Sequence, residues 1–187
     1  MSIPQITFTV NDQPPIWAKY FAWVRTTNLT FLQSTGVVSF GTLKDNNSQY
    51  AYINITNLYA EKCDRIAIIN VDTINFTDCV LEDFWTRGYN FSPTCTNFNV
   101  RGGKVTGADA TQLATAYACK NGSFSNIEVY PKERAVGEKT SLKAYNGCED
   151  ITFSNISGLA NNEMGCYVHS SKNITFNNVK LKRSTIT

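Results

Sequence analysis

One phrase recurs through this chain. It stands as N-I-T-F-N-N-V from Asn173 to Val179 and as D-I-T-F-S-N-I from Asp150 to Ile156. Walking back from these two phenylalanines gives Phe124 in N-G-S-F-S-N-I, Val100 in N-F-N-V-R-G-G, Phe76 in T-I-N-F-T-D-C and Ile55 in Y-I-N-I-T-N-L. Phe31 in N-L-T-F-L-Q-S and Phe8 in Q-I-T-F-T-V-N complete a series of eight anchors, separated by 23, 24, 21, 24, 24, 29 and 23 residues. A strand-bearing period in the low twenties is the length of one solenoid coil, which buries its apolar face only against neighbouring coils. The repeat therefore makes residues 1–187 a single domain.

The columns within the repeat specify the kind of coil. Two residues before the anchors stand Leu29, Ile53, Ile74, Phe98, Ile151 and Ile174, with Gly122 the exception. Apolar residues so alternate with polar ones, the period of a strand with one buried face. Two residues after the anchors stand Asn57, Asp78, Gly102, Asn126, Asn155 and Asn178. These types tolerate the left-handed backbone region that bulkier residues avoid, so the column predicts a sharp bend between two strands. A further column three residues before the anchors, with Asn28, Asn97, Asn121, Asp150 and Asn173, predicts side chains bonding from coil to coil. No helical period runs longer than the segment Asp109 to Lys120, which excludes helical leucine-rich and ankyrin-type repeats.

With these columns the chain resembles the pectate-lyase-like superfamily, whose coils carry an inward aromatic or aliphatic stack and an asparagine ladder at one bend. The resemblance implies an all-β fold, a right-handed single-stranded parallel β-helix of about eight coils. The short Asn- and Thr-rich coils look most like bacteriophage tailspike and tail-fibre proteins. That likeness implies a virion protein made in the host cytoplasm, with bacterial surface polysaccharide as ligand and a homotrimer or other virion proteins as partners.

Composition narrows the alternatives. A net charge of +2 with 17% charged residues gives no clustered basic face for nucleic acid. Met1 to Val10 lacks the basic and apolar regions of a signal peptide, and no apolar run approaches a membrane span. No amphipathic segment precedes Phe8 to cover the first coil, so the ends are expected to continue into a longer chain or to meet partners. The aromatic run from Trp17 to Trp23, after Pro14 and Pro15, reads as core and end cover, or as a sugar-stacking platform. The 29-residue interval holds an inserted loop with Lys132, Glu133, Arg134, Glu138 and Lys139, where binding residues or simple solubility would sit.

Of six cysteines, Cys95, Cys119 and Cys148 each fall five residues before an anchor and should stack in one column, about 4.8 Å apart. Cys63, Cys79 and Cys166 fall elsewhere, and no paired C-x-x-C zinc spacing occurs. Buried free thiols and folding in a reducing cytosol are expected, with disulfides between adjacent coils as the alternative. Eight N-x-S/T triplets arise from Asn preceding Thr-rich strands, several in ladder or strand columns where a glycan would clash. No metal or cofactor site is expected.

Candidate chemistry centres on Glu61 and Glu82. Each lies six residues past its anchor in adjacent coils, so the two should neighbour each other across one rung. Carboxylates about 5 Å apart suit the nucleophile and acid of a retaining glycosidase. Lys62 and Asp83 stack beside them, and Asp64 and Trp85 follow. Asp64, Asp83, Phe84, Trp85, Arg87 and Tyr89 are therefore the outward group expected to hold a sugar chain; the plainer alternative is a solvated face with an exposed Lys62–Asp83 ion pair. The superfamily's N-T-D, D-D and G-H-G signatures are absent, with His169 alone in Y-V-H-S, so no catalytic residue carries over from the resemblance. The expected function is recognition, and potentially cleavage, of a bacterial surface polysaccharide; a structural stalk without catalysis and a secreted lyase or hydrolase are the alternatives.

Overall fold

The computed structural model describes strands at 7–9, 23–27, 30–32 and 37–41, and residues 52–69, 71–93, 95–107, 112–131, 140–160 and 164–183. In chain order the strands are β1 (Thr7–Thr9), β2 (Trp23–Thr27), β3 (Thr30–Leu32), β4 (Val37–Gly41), β5 (Tyr52–Thr56) and β6 (Tyr59–Glu61). Then follow β7 (Arg65–Ile69), β8 (Thr73–Phe84), β9 (Arg87–Phe91), β10 (Thr96–Gly107), β11 (Gln112–Tyr117) and β12 (Lys120–Ser125). The last are β13 (Glu128–Tyr130), β14 (Thr140–Tyr145), β15 (Glu149–Ala160), β16 (Met164–His169) and β17 (Lys172–Arg183). No helix occurs among the described residues.

These strands form a parallel β-solenoid. An eleven-stranded sheet, here sheet A, and a six-stranded sheet, sheet B, wrap one core. Sheet B stacks β4, β7, β9, β11, β14 and β16, one strand from each of six successive coils, so five turns separate its first strand from its last. This is fewer than the eight anchors imply, and register explains part of the difference. Phe8 pairs with Phe31, but Phe31 pairs with Ala60, not with Ile55. Thr26 occupies the place beside Ile55. The two N-terminal phenylalanines thus belong to the strand after the bend.

From Ile55 onward the anchors keep the predicted column. Ile55, Phe76, Val100, Phe124, Phe153 and Phe176 are successive register partners, and all but Phe176 are buried. Phe124 and Phe153 stack at 5.1 Å and 8°, and Phe153 and Phe176 at 4.9 Å and 6°. Each such ring is worth about 1.5–3 kcal/mol on burial. At Gly122, the one gap in the alternating column, the Phe98 ring from the preceding coil fills the space.

Corners between faces are left-handed residues. Asn57, Asp78, Asn126, Asn155 and Asn178 have φ between 51 and 55°, and Gly102 has φ 72°. This column bends β8, β10, β15 and β17 in mid-strand, so each long strand supplies two faces of the coil. Asn97, Asn121, Asp150 and Asn173, with φ of 49–57°, start the next coil. Amides link both columns along the axis: Asn178 Nδ2 donates to Asn155 Oδ1 at 2.8 Å, and Asn173 Nδ2 to Asp150 Oδ1 at 2.9 Å. A third corner, between β6 and β7 and between β8 and β9, uses Lys62 and Asp83, both at φ 53°.

The predicted cysteine column is present and no disulfide joins its members. The carbonyls of Cys95, Cys119 and Cys148 accept from Lys120, Glu149 and Lys172 of the following coils. Inside the coil, Cys119 Sγ donates to the Ser92 and Tyr117 carbonyls, and Cys148 Sγ to Ala116. The hydrogen bond with Cys95, then burial, pushes the Cys119 thiol far above its ordinary range. Most of the aromatic run Trp17 to Trp23 and the charged insert 132–139 lie outside the described residues.

Candidate functional site

Glu61 and Glu82 are register partners, as the spacing predicts. Both are half-buried on the outward side of the second face. Each carboxylate is engaged: Lys62 Nζ lies 2.8 Å from Glu61 Oε1, and the Tyr59 hydroxyl donates to Glu82 Oε2 at 2.9 Å. Burial and the bond to Glu82 push the Tyr59 hydroxyl up to about 12, so it stays a donor throughout the neutral range. Glu61, by hydrogen bonding and by charge, holds the Lys62 ammonium above its usual value. Lys62 therefore pairs with its sequence neighbour Glu61, and Asp83 adds only a lesser attraction. Asp83 is exposed, and its backbone N–H donates to Thr106 Oγ1 at 3.0 Å.

Past the corner the coil presents Asp64 and Trp85. Asp64 Oδ1 accepts from Thr86 Oγ1 at 2.7 Å, and the Trp85 and Thr86 amides donate to the Cys63 and Asp64 carbonyls. Trp85 is 51% exposed, the most exposed large hydrophobic side chain among the described residues. Arg87 is half-buried and its Nη1 donates to Asn90 Oδ1 at 2.9 Å. Glu61, Glu82, Asp64, Asp83, Trp85 and Arg87 are so gathered around one corner.

Phe84 and Tyr89 do not join them. Phe84 is fully buried and Tyr89 is 1% exposed. The left-handed Asp83 breaks the in-and-out alternation, so the residue after it turns inward. A second break follows at Gly88, where a Cβ would meet Val105 Cγ1 at 2.6 Å, so Gly88 and Tyr89 both face the core. The Tyr89 ring packs 5.2 Å from Phe76, and its buried hydroxyl lies beside the Cys79 thiol with no other partner among the described residues. Burial, and then Cys79, drives the Tyr89 hydroxyl well above its usual range. Tyr89 is a core residue and is not available to a sugar on the outer face.

Compared with known proteins, the chain matches no family model, no curated protein and no solved structure. Its parallel solenoid fold stands on its own geometry. Among the described residues no group of three or more His, Cys, Asp or Glu side chains is placed to hold a metal ion.

Sequence reading missed the outward side of sheet B. Thr115, Lys143 and Tyr167 form one column there, and Tyr117, Tyr145 and His169 the next. Their signal was present in the chain: Tyr117, Tyr145 and His169 fall seven, eight and seven residues before Phe124, Phe153 and Phe176. Tyr59, the donor to Glu82, was likewise visible only once the coils were stacked.

Proposed function

We propose that this chain is a receptor-binding protein of the phage tailspike or tail-fibre kind, recognising a bacterial surface polysaccharide on the outer face of its solenoid. The observation that carries this reading is Trp85, half in water at a corner lined by Asp64, Thr86 and the Glu61–Glu82 rung. An indole face offers apolar area to the C–H face of a sugar ring, while neighbouring carboxylates and hydroxyls bond its hydroxyl groups. On this reading, further copies of the chain or other virion proteins are its partners.

The test is a panel of bacterial capsular and O-antigen polysaccharides presented to the purified chain. Retention of at least one of them by the wild-type chain, weakened in Trp85→Ala, is the expected result. A Trp85→Ala chain that binds as the wild type does removes the corner from the reading.

The in-register pair also favours a second activity, depolymerisation. Reducing ends released from the retained polysaccharide, and lost in the Glu61→Gln, Glu82→Gln double variant, would mark the pair as nucleophile and acid. Release at the wild-type rate in that variant would exclude it.

A further inference from the structure

The last coil among the described residues, β16 and β17, repeats the inward pattern of the coils before it but lacks their cover. Cys166, Val168, Ile174, Phe176 and Val179 are register partners of Leu142, Ala144, Ile151, Phe153 and Ile156. Those five partners are buried, whereas Val168 is 43% and Phe176 37% exposed. Cys166 is exposed as well, and Ile174 and Val179 are half-buried. Among the described residues β16 pairs only with β14 and β17 only with β15, so the far edge of each strand keeps an open row of backbone donors and acceptors.

Two features of the stack specify what completes this edge. The amide ladder has a direction. Asn75 donates to Asn54, Asn121 to Asn97, Asn173 to Asp150 and Asn178 to Asn155, in each case from the later coil to the earlier. The Asp150 carboxylate can only accept, which fixes that direction at Asn173. At the open edge Asn173 Oδ1 and Asn178 Oδ1 are therefore acceptors that no described residue donates to. Charge also alternates along the axis, with Glu149 between Lys120 at 3.4 Å and Lys172 at 2.6 Å. Residues 164–183 hold Lys172, Lys180, Lys182 and Arg183 and no Asp or Glu. The three lysines are exposed.

We propose that this edge is a docking site for an acidic extended segment of a partner protein, which adds to the solenoid as a further parallel coil. In such strand addition, main-chain hydrogen bonds supply affinity and alternate side chains supply specificity. The columns define the segment: an acid opposite Lys172, amides opposite Asn173 and Asn178, apolar residues opposite Ile174, Phe176 and Val179, and acids opposite Lys180 and Lys182. A second copy meeting this edge with its own would set cation against cation and acceptor against acceptor. A copy arriving by its other end would bring β1 and β2, T-F-T and W-V-R-T-T, which hold no acid and a further cation, Arg25. Docking here is independent of the Trp85 corner and of any glycan.

Two synthetic peptides test this on the whole chain. Both copy residues 164–183 with Cys166→Ser, and one also carries Lys172→Glu, Lys180→Glu, Lys182→Glu and Arg183→Glu. Fluorescence anisotropy reads their affinity, and the rate at which a thiol reagent labels Cys166 of the chain reads where they bind. The acidic peptide is expected to bind about tenfold more tightly than the basic one, the contribution of several exposed ion pairs, and to slow the labelling of Cys166. Salt should narrow the difference. A Lys180→Glu, Lys182→Glu double variant of the chain changes only exposed side chains and should erase the preference while its Cys166, without peptide, labels at the wild-type rate. Equal binding of the two peptides would overturn the acidic partner, and binding of neither would overturn the docking edge. A dimer of the chain alone in sedimentation, with Cys166 protected in it, would assign the edge to a second copy and overturn the proposal too.

Discussion

The ring of Phe98 stands where a side chain on Gly122 would begin: a Cβ placed on Gly122 would collide with both Cε1 and Cζ of that ring. The two are register partners in adjacent coils. One large residue therefore fills two places in the inward column, and the apparent defect in the repeat is a packing solution. Phe98 in turn stacks on Phe91 at 4.0 Å and 22°.

Gly122→Ala should accordingly destabilise the chain by about 1–3 kcal/mol, the usual cost of overpacking a dense core. Chemical denaturation measures it. Phe98→Ala opens a cavity by itself, but in the double variant the two costs should sum to less than their separate values, because the alanine methyl moves into the vacated space. Additive losses would mean that the ring does not occupy the glycine's place.

Ala118 is held at φ 51° just after β11, where Asn146 and Ser170 hold the matching place in the next two coils. Alanine lacks the local side-chain bonding that lets asparagine adopt this region, and left-handed backbone costs an ordinary residue about 1–2 kcal/mol. Ala118→Gly relieves that strain but loses some of the gain to the freer unfolded chain. The expected net effect is a stabilisation of about 0.5–1 kcal/mol, read as a rise of about 1–4 °C in Tm.

Five of the six thiols are buried and Cys166 alone is exposed, because its coil is the last of sheet B among the described residues. A thiol reagent should label one cysteine quickly in the native chain and the other five only on denaturation. Cys166→Ser should remove the fast phase and leave the slow ones. Fast labelling of Cys95, Cys119 or Cys148 would contradict the closed column.

Glu149 lies between two cations from flanking coils, 2.6 Å from Lys172 Nζ and 3.4 Å from Lys120 Nζ. Lys172 chiefly, and then Lys120, hold its carboxyl below the ordinary range. A carboxyl depressed on folding stabilises the fold above its unfolded value of about 4.3, and that contribution is lost as the pH falls through the lower folded value. Glu149→Gln should therefore lower Tm slightly at neutral pH and make no difference in strong acid, with the gap narrowing in salt. A carboxyl titration by NMR should place Glu149 below a solvent-exposed glutamate, and Lys172→Met should move it back up.

The repeat and its corners were legible because each column is a local rule applied many times. Asn57, Asp78, Asn126, Asn155 and Asn178 could be assigned to a bend since only a few residue types accept that backbone conformation, and all five adopt it. The pairing of Glu61 with Glu82 was legible for the same reason, as a constant offset from anchors in adjacent coils. Phe84 and Tyr89 were misplaced because alternation holds only within a strand, and each irregular residue, Asp83 and then Gly88, resets which side is inward.

By itself, then, the sequence determined the period, the inward stack and the bends, which depend on side-chain size and backbone preference one residue at a time. Only the tertiary structure decided which coil each N-terminal phenylalanine joined, with Phe31 beside Ala60 and Thr26 beside Ile55, because near-identical phrases fit either register until their neighbours are packed. It alone also gathered Tyr117, Tyr145, Tyr167 and His169 around Lys143. Residues more than twenty positions apart become neighbours through the stacking of coils, a distance that no local pattern measures.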